Sequence, residues 1–143
     1  LPLLIGWVAA RGALEPGGWA LFGIQFMWQL PHFYSIAWVA HEDYARAGYH
    51  LLPSAGGRDL ASAIHIACYA LLLIPASLLP YGLGLAGPAY AVIAGLAGLA
   101  FLAQTIALMR LRSVAAARGI MFGSFLYLPL VLLALYFTRI PPA

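Results

Sequence analysis

Long apolar runs dominate the chain, and polar residues gather in the gaps between them. Four runs are of spanning length, at about 18–40, 60–79, 88–109 and 119–138. At about 1.5 Å of rise per residue the first makes a helix of roughly 34 Å, enough to cross the hydrocarbon core of a bilayer. Lipid offers no partner to open backbone groups, so runs of this kind predict helices. The opening Leu1-Pro2-Leu3-Leu4-Ile5-Gly6-Trp7-Val8 is too short to span. It predicts a partial helix over 1–10, the end of a helix that begins upstream, and hence a piece of a longer membrane protein. The start has no basic stretch of the signal-peptide kind. The expected fold is all-α, one polytopic transmembrane helix bundle over 1–143. Pro31, Pro75 and Pro129 fall inside spans and predict kinks there.

The gaps differ in character. Residues 11–17 form a short turn with Arg11 and Glu15, 41–59 a long charged loop, 80–87 an uncharged tight loop, and 110–118 a loop with three arginines. Composition strengthens the membrane reading: 64% of residues are hydrophobic and 8% charged, and mean hydropathy is +0.94. A soluble domain is excluded. The net charge of +3 is carried by arginine alone and is too sparse for a nucleic-acid-binding face. Its placement is more informative. Strict alternation puts Arg46, Arg58, Arg110, Arg112 and Arg118 on one side and Arg11 and Arg139 on the other, so the 41–59 loop is expected to be cytoplasmic. Cys68 stands alone in an apolar run and reads as a small buried core residue. Ala91, Gly95 and Gly98 form a small-residue stripe that would let another helix approach the third span closely.

Candidate chemistry lies where the first span ends. Gln25, Gln29, His32 and Ser35 share about a 120° arc of that helix. Such a face points away from lipid, into interhelical hydrogen bonds or along the wall of a substrate cavity. Ser62, His65 and Tyr69 make a weaker stripe on the second span, and Ser124 and Tyr127 a small polar patch on the last. His41, Glu42, Asp43, Arg46 and His50 crowd into ten positions of a chain poor in charge. Asp43 with Arg46 reads two ways. One is a helix-end ion pair. The other is a carboxylate that holds Mg²⁺ on a diphosphate beside an arginine fork that suits phosphate oxygens.

Taken together, Trp28-Gln29-Leu30-Pro31-His32-Phe33-Tyr34-Ser35-Ile36-Ala37-Trp38, then Glu42-Asp43-Tyr44-Ala45-Arg46-Ala47-Gly48-Tyr49 and Leu51-Leu52-Pro53, resemble the heme O synthases, a group of the UbiA-like intramembrane prenyltransferases. The opening Pro2–Ala10 and the late Phe122-Gly123-Ser124-Phe125-Leu126-Tyr127-Leu128 resemble them too. The likeness covers essentially the whole chain and maps to the C-terminal half of such an enzyme. It implies transfer of a farnesyl group from farnesyl diphosphate to a vinyl group of heme b, with Mg²⁺ as cofactor, in the bacterial inner membrane. On the same match Asp43 serves Mg²⁺–diphosphate, Arg46 contacts phosphate, and His32 lines the heme or prenyl cavity. Gln25, Gln29, His41, Tyr44 and Tyr127 are further candidate substrate contacts. The chain departs from the pattern at His41, where the group usually has Arg, and at His50-Leu51, which replaces Pro-Met; Ala47 stands where related prenyltransferases often carry a second Asp that heme O synthases commonly lack. The group's first polar motif, with its Asn and Asp residues, is missing, so the chain is expected to hold half a site and to be inactive alone. Two readings of other kinds stand beside this one: a non-catalytic heme-binding subunit ligated by His32 and His65, and a transporter or scaffold fragment.

Overall fold

The computed structural model describes residues 1–140. Six helices follow one another: α1 Pro2–Arg11, α2 Pro16–Val39, α3 His41–Arg46, α4 Leu60–Gly82, α5 Pro88–Leu111 and α6 Val114–Thr138. Helix α4 packs on α2 and α5, and α6 on α5 and α2, so the four long helices close a ring; α1 lies against α2. Three of the long helices, α4, α5 and α6, are long and apolar enough to cross a membrane. Helix α2 is equally long but carries Gln25, Gln29, His32 and Ser35, which lower its hydropathy.

The helices overrun the predicted spans. Helix α4 continues through Pro75 and Pro80, α2 through Pro31 and α6 through Pro129. The expected 110–118 loop shrinks to Arg112 and Ser113, because α5 reaches Leu111 and α6 starts at Val114. Two local devices permit this. Arg112 takes a left-handed conformation at φ 47°. The Ser113 side chain accepts from Ala116 N at 3.1 Å, satisfying a free N–H of the first turn. At the opposite end Gly87 N donates to Thr138 O at 3.1 Å and Ile140 N to Leu85 O at 3.0 Å, which ties the α4–α5 loop to the end of α6.

The core runs along the ring axis through Ile24, Trp38, Ile66, Leu73, Tyr90, Leu108, Ile120 and Val131. Small residues fill the contacts between helices, among them Ala63, Ala70, Ala94 and Ala117. The buried register of α5 is Tyr90, Ala94, Gly98, Phe101, Thr105 and Leu108. Of the two glycines in the expected small-residue stripe, Gly98 makes a close approach, with Ile74 Cγ1 2.8 Å from where its Cβ would stand, and Gly95 meets nothing. Cys68 is exposed on α4 rather than buried. The spans are apolar on every side, so hydrophobicity does not reveal which face turns inward. Leu71, Leu72, Leu96, Leu99, Leu126 and Phe137 all face outward, as a lipid environment allows.

Candidate active site at the charged end of the bundle

Helix α2 ends at the charged loop, and Arg58 closes it. Its Nε donates to Trp38 O at 2.7 Å, its Nη2 to Val39 O at 3.1 Å and its Nη1 to Glu42 Oε1 at 3.2 Å. A guanidinium here satisfies carbonyls that the helix end leaves open and complements the helix dipole. The chain then turns into α3. That helix stops at Ala47-Gly48, where Gly48 adopts φ +81°. Gly48 N donates to Ala45 O at 3.0 Å and Tyr49 N to Tyr44 O at 2.9 Å, a Schellman closure that needs the left-handed glycine. His41 lies with its ring against Gly57, which has φ +73° and no room for a side chain beside the imidazole. Asp59 caps α4: its Oδ1 accepts from Ser62 N at 2.8 Å and its Oδ2 from the Ser54 hydroxyl. These hydrogen bonds, the Ser54 one foremost, hold the Asp59 carboxyl below the usual carboxylate range.

The adjacent acids divide. Glu42 is taken by Arg58. Asp43 is left with Arg46 Nη1 at 3.6 Å, and the two side chains are 77% and 76% exposed. That distance is too long for a good hydrogen bond, and exposed pairs of this kind contribute at most about 1 kcal/mol. Asp43 therefore keeps most of its acceptor capacity open to solvent. Among the described residues no three His, Cys, Asp or Glu side chains gather as a metal site. One open carboxylate suits Mg²⁺, which binds through one or two carboxylates plus substrate phosphates; it does not suit a metal caged by protein alone. Tyr44 sits half-buried on α3.

The second cluster lies deeper, between α2 and α6. His32 is 8% exposed. Its Nδ1 is 2.7 Å from Ser124 Oγ. Trp28 stacks on the imidazole at 4.6 Å and 14°, and Phe125 meets it edge-on at 5.1 Å and 71°. Trp28 Nε1 donates to Ser124 O at 2.8 Å, a second strut between the same helices. Ser35 turns back to His32 O at 2.7 Å. Gln25 and Gln29 are half-buried. The polar stripe of α2 is thus partly hydrogen-bonded and partly open. Tyr127 lies in the core between α4, α5 and α6, sharing a 2.8 Å hydrogen bond with Ser77 Oγ.

The two clusters are not in contact. Asp43 and Arg46 pair with each other at the bundle end, and His32 lies about 10 Å below the end of α2 at helical rise. The weaker stripe on α4 splits, with Ser62 buried, Tyr69 half-buried and His65 exposed. His65 Nδ1 donates to Ala61 O of its own helix at 2.8 Å, while His32 turns to α6. The two rings thus stand in different surroundings, His32 buried against α6 and His65 exposed on the surface of α4. Sequence reasoning missed Arg58, Trp28 and Phe125. Arg58 stood nineteen positions from the carbonyl it caps at Val39, and no local pattern links them.

Comparison with known proteins gives consistent results. The chain is 48% identical over 141 residues to a protoheme IX farnesyltransferase of Cytophaga hutchinsonii, covering 97% of this chain and 49% of that protein. It is 47% identical over 131 residues to one of Solibacter usitatus, at 92% and 45%, and 39% identical over 139 residues to one of Anaeromyxobacter dehalogenans, at 97% and 47%. The chain spans about half the length of these curated relatives. No solved structure matches it. The model of the UbiA prenyltransferase family matches residues 1–138, and the chain belongs to that family.

Proposed function

We propose that the protein carrying this segment transfers a farnesyl group from farnesyl diphosphate to a vinyl group of heme b, giving heme O. The open carboxylate of Asp43 beside Arg46, at the polar end of an otherwise apolar bundle, is the observation that carries the reading. The names of the relatives sharpen it to heme and farnesyl substrates.

Ionising an allylic diphosphate needs positive charge around the leaving group. Mg²⁺, when bound, supplies most of that charge and holds the diphosphate oxygens. Asp43 would anchor it, and Arg46 would reach the same oxygens through its planar fork. His41 occupies a position where the group has Arg, and its ring can give a single hydrogen bond toward phosphate but no bidentate grip. Tyr44, on the same short helix, is a further substrate contact. The polar stripe of α2, with Gln25, Gln29 and His32, would line the path from the charged end into the bundle. Aromatic and aliphatic walls around it would keep water from the allylic carbon until the new bond forms. Tyr127, buried beneath Ser124, would support that wall from below.

The site would open toward the cytoplasmic face of a bacterial inner membrane, since five of the seven arginines lie on that side. The test is heme O formation from heme b and farnesyl diphosphate, with and without Mg²⁺, by the protein at the full length of its relatives. Heme O that depends on both substrates and on the cation is expected. A protein that binds heme and forms no prenylated product would reject the reading.

A further inference from the structure

The hydrogen bonds around Ser124 determine which nitrogen of His32 carries the proton. Ser124 Oγ lies 2.6 Å from Met121 O and 2.7 Å from His32 Nδ1. A hydroxyl has one proton, and a carbonyl oxygen can only accept. The Ser124 proton therefore goes to Met121 O, which leaves Oγ as the acceptor for His32. Nδ1 must then be the donor. In a neutral imidazole that places a lone pair on Nε2. Among the described residues Nε2 has no hydrogen-bond partner, and it is not one of the fully buried unpartnered atoms. The ring is held in this pose by Trp28 on its face, Phe125 at its edge and the Ser35 bond to its own carbonyl.

We propose that Ser124 is a positioning residue that holds His32 as the Nδ1–H tautomer, so that Nε2 meets the substrate as an electron-pair donor. The inference rests on the prenyl-transfer reading for the identity of that substrate. Diphosphate oxygens only accept, and an Nε2 lone pair cannot serve them. His32 is thereby assigned to the heme side of the site, where the lone pair can take the proton released when water adds to the carbocation left on the former vinyl group.

The test uses full-length protein labelled with ¹⁵N-histidine, with His32→Gln identifying the signal. At a pH where the ring is neutral, wild type should show a protonated Nδ1 and a bare Nε2. Ser124→Ala should move the proton to Nε2, and Ser124→Thr, which keeps the hydroxyl, should restore the wild-type pattern. In turnover, Ser124→Ala should lower kcat by about tenfold and leave KM for farnesyl diphosphate within about twofold. A wild-type ring protonated on Nε2, or a tautomer unchanged in Ser124→Ala, would overturn the proposal. So would a raised KM for the diphosphate with kcat intact. The spectrum requires no substrate, so a wild type without prenyl-transfer activity would strike the function and leave the tautomer to be read separately.

Discussion

Neighbouring residues of one type take different parts in this chain because their surroundings differ. Glu42 and Asp43 are adjacent acids, yet Arg58 claims the first and leaves the second open. Asp59 is a third acid with a structural task, capping α4 and receiving Ser54. Its folded-state pKa is depressed from 3.8. A depressed carboxylate contributes stability that is fully present above its unfolded value and is lost as pH falls through the folded value. Wild type should therefore lose thermal stability as pH drops below that ordinary value. Asp59→Asn, which keeps a cap acceptor without the charge, should lose less over the same interval. Melting temperature in detergent between neutral pH and pH 3 checks this; parallel curves for the two proteins would remove Asp59 from the acid transition. The roles of these acids were only partly legible beforehand. Asp43 stood out by its motif, whereas the partners of Glu42 and Asp59 depend on how the loop folds back.

At the scale of elements, apolar length was the legible quantity. Each of the four predicted spans is a helix, and three of them, α4, α5 and α6, are long and apolar enough to cross a membrane. The ends were less legible. Helix α6 starts ahead of its predicted span because the Ser113 side chain caps its first turn, while α4 and α5 run on past their predicted ends to Gly82 and Leu111. Inward faces were the least legible, as Cys68 and Gly95 show. The corner between α2 and α3 depends on Arg58, which binds two main-chain carbonyls and one carboxylate. Arg58→Ala should cost about 2 kcal/mol, since charged hydrogen bonds are lost and carbonyls are left open. Arg58→Lys should recover only part of this, because a point charge cannot replace the fork. Unfolding in mixed micelles reports both; equal stability of wild type and Arg58→Ala would show that water caps the helix as well as the guanidinium does.

For the whole molecule, the closed ring of α2, α4, α5 and α6 places the charged loop at one end and the tied 85–87 and 138–140 strands of chain at the other. If the charged end is cytoplasmic, Ala55→Cys in a full-length Cys68→Ala background should resist an impermeant thiol reagent added outside intact cells and react after the membrane is opened. Ala55 is exposed in the loop, so access is decided by side. Labelling from outside would reverse the orientation. On the proposed reading Asp43 serves a metal–diphosphate and is more than half of a surface ion pair. Turnover of full-length Asp43→Asn at unchanged protein level tests it most directly. A loss on the order of 10²-fold or more is expected, about 2.7 kcal/mol of transition-state stabilisation, with a smaller loss for Arg46→Lys. Turnover within about threefold of wild type, the result expected of an exposed ion pair, would contradict it.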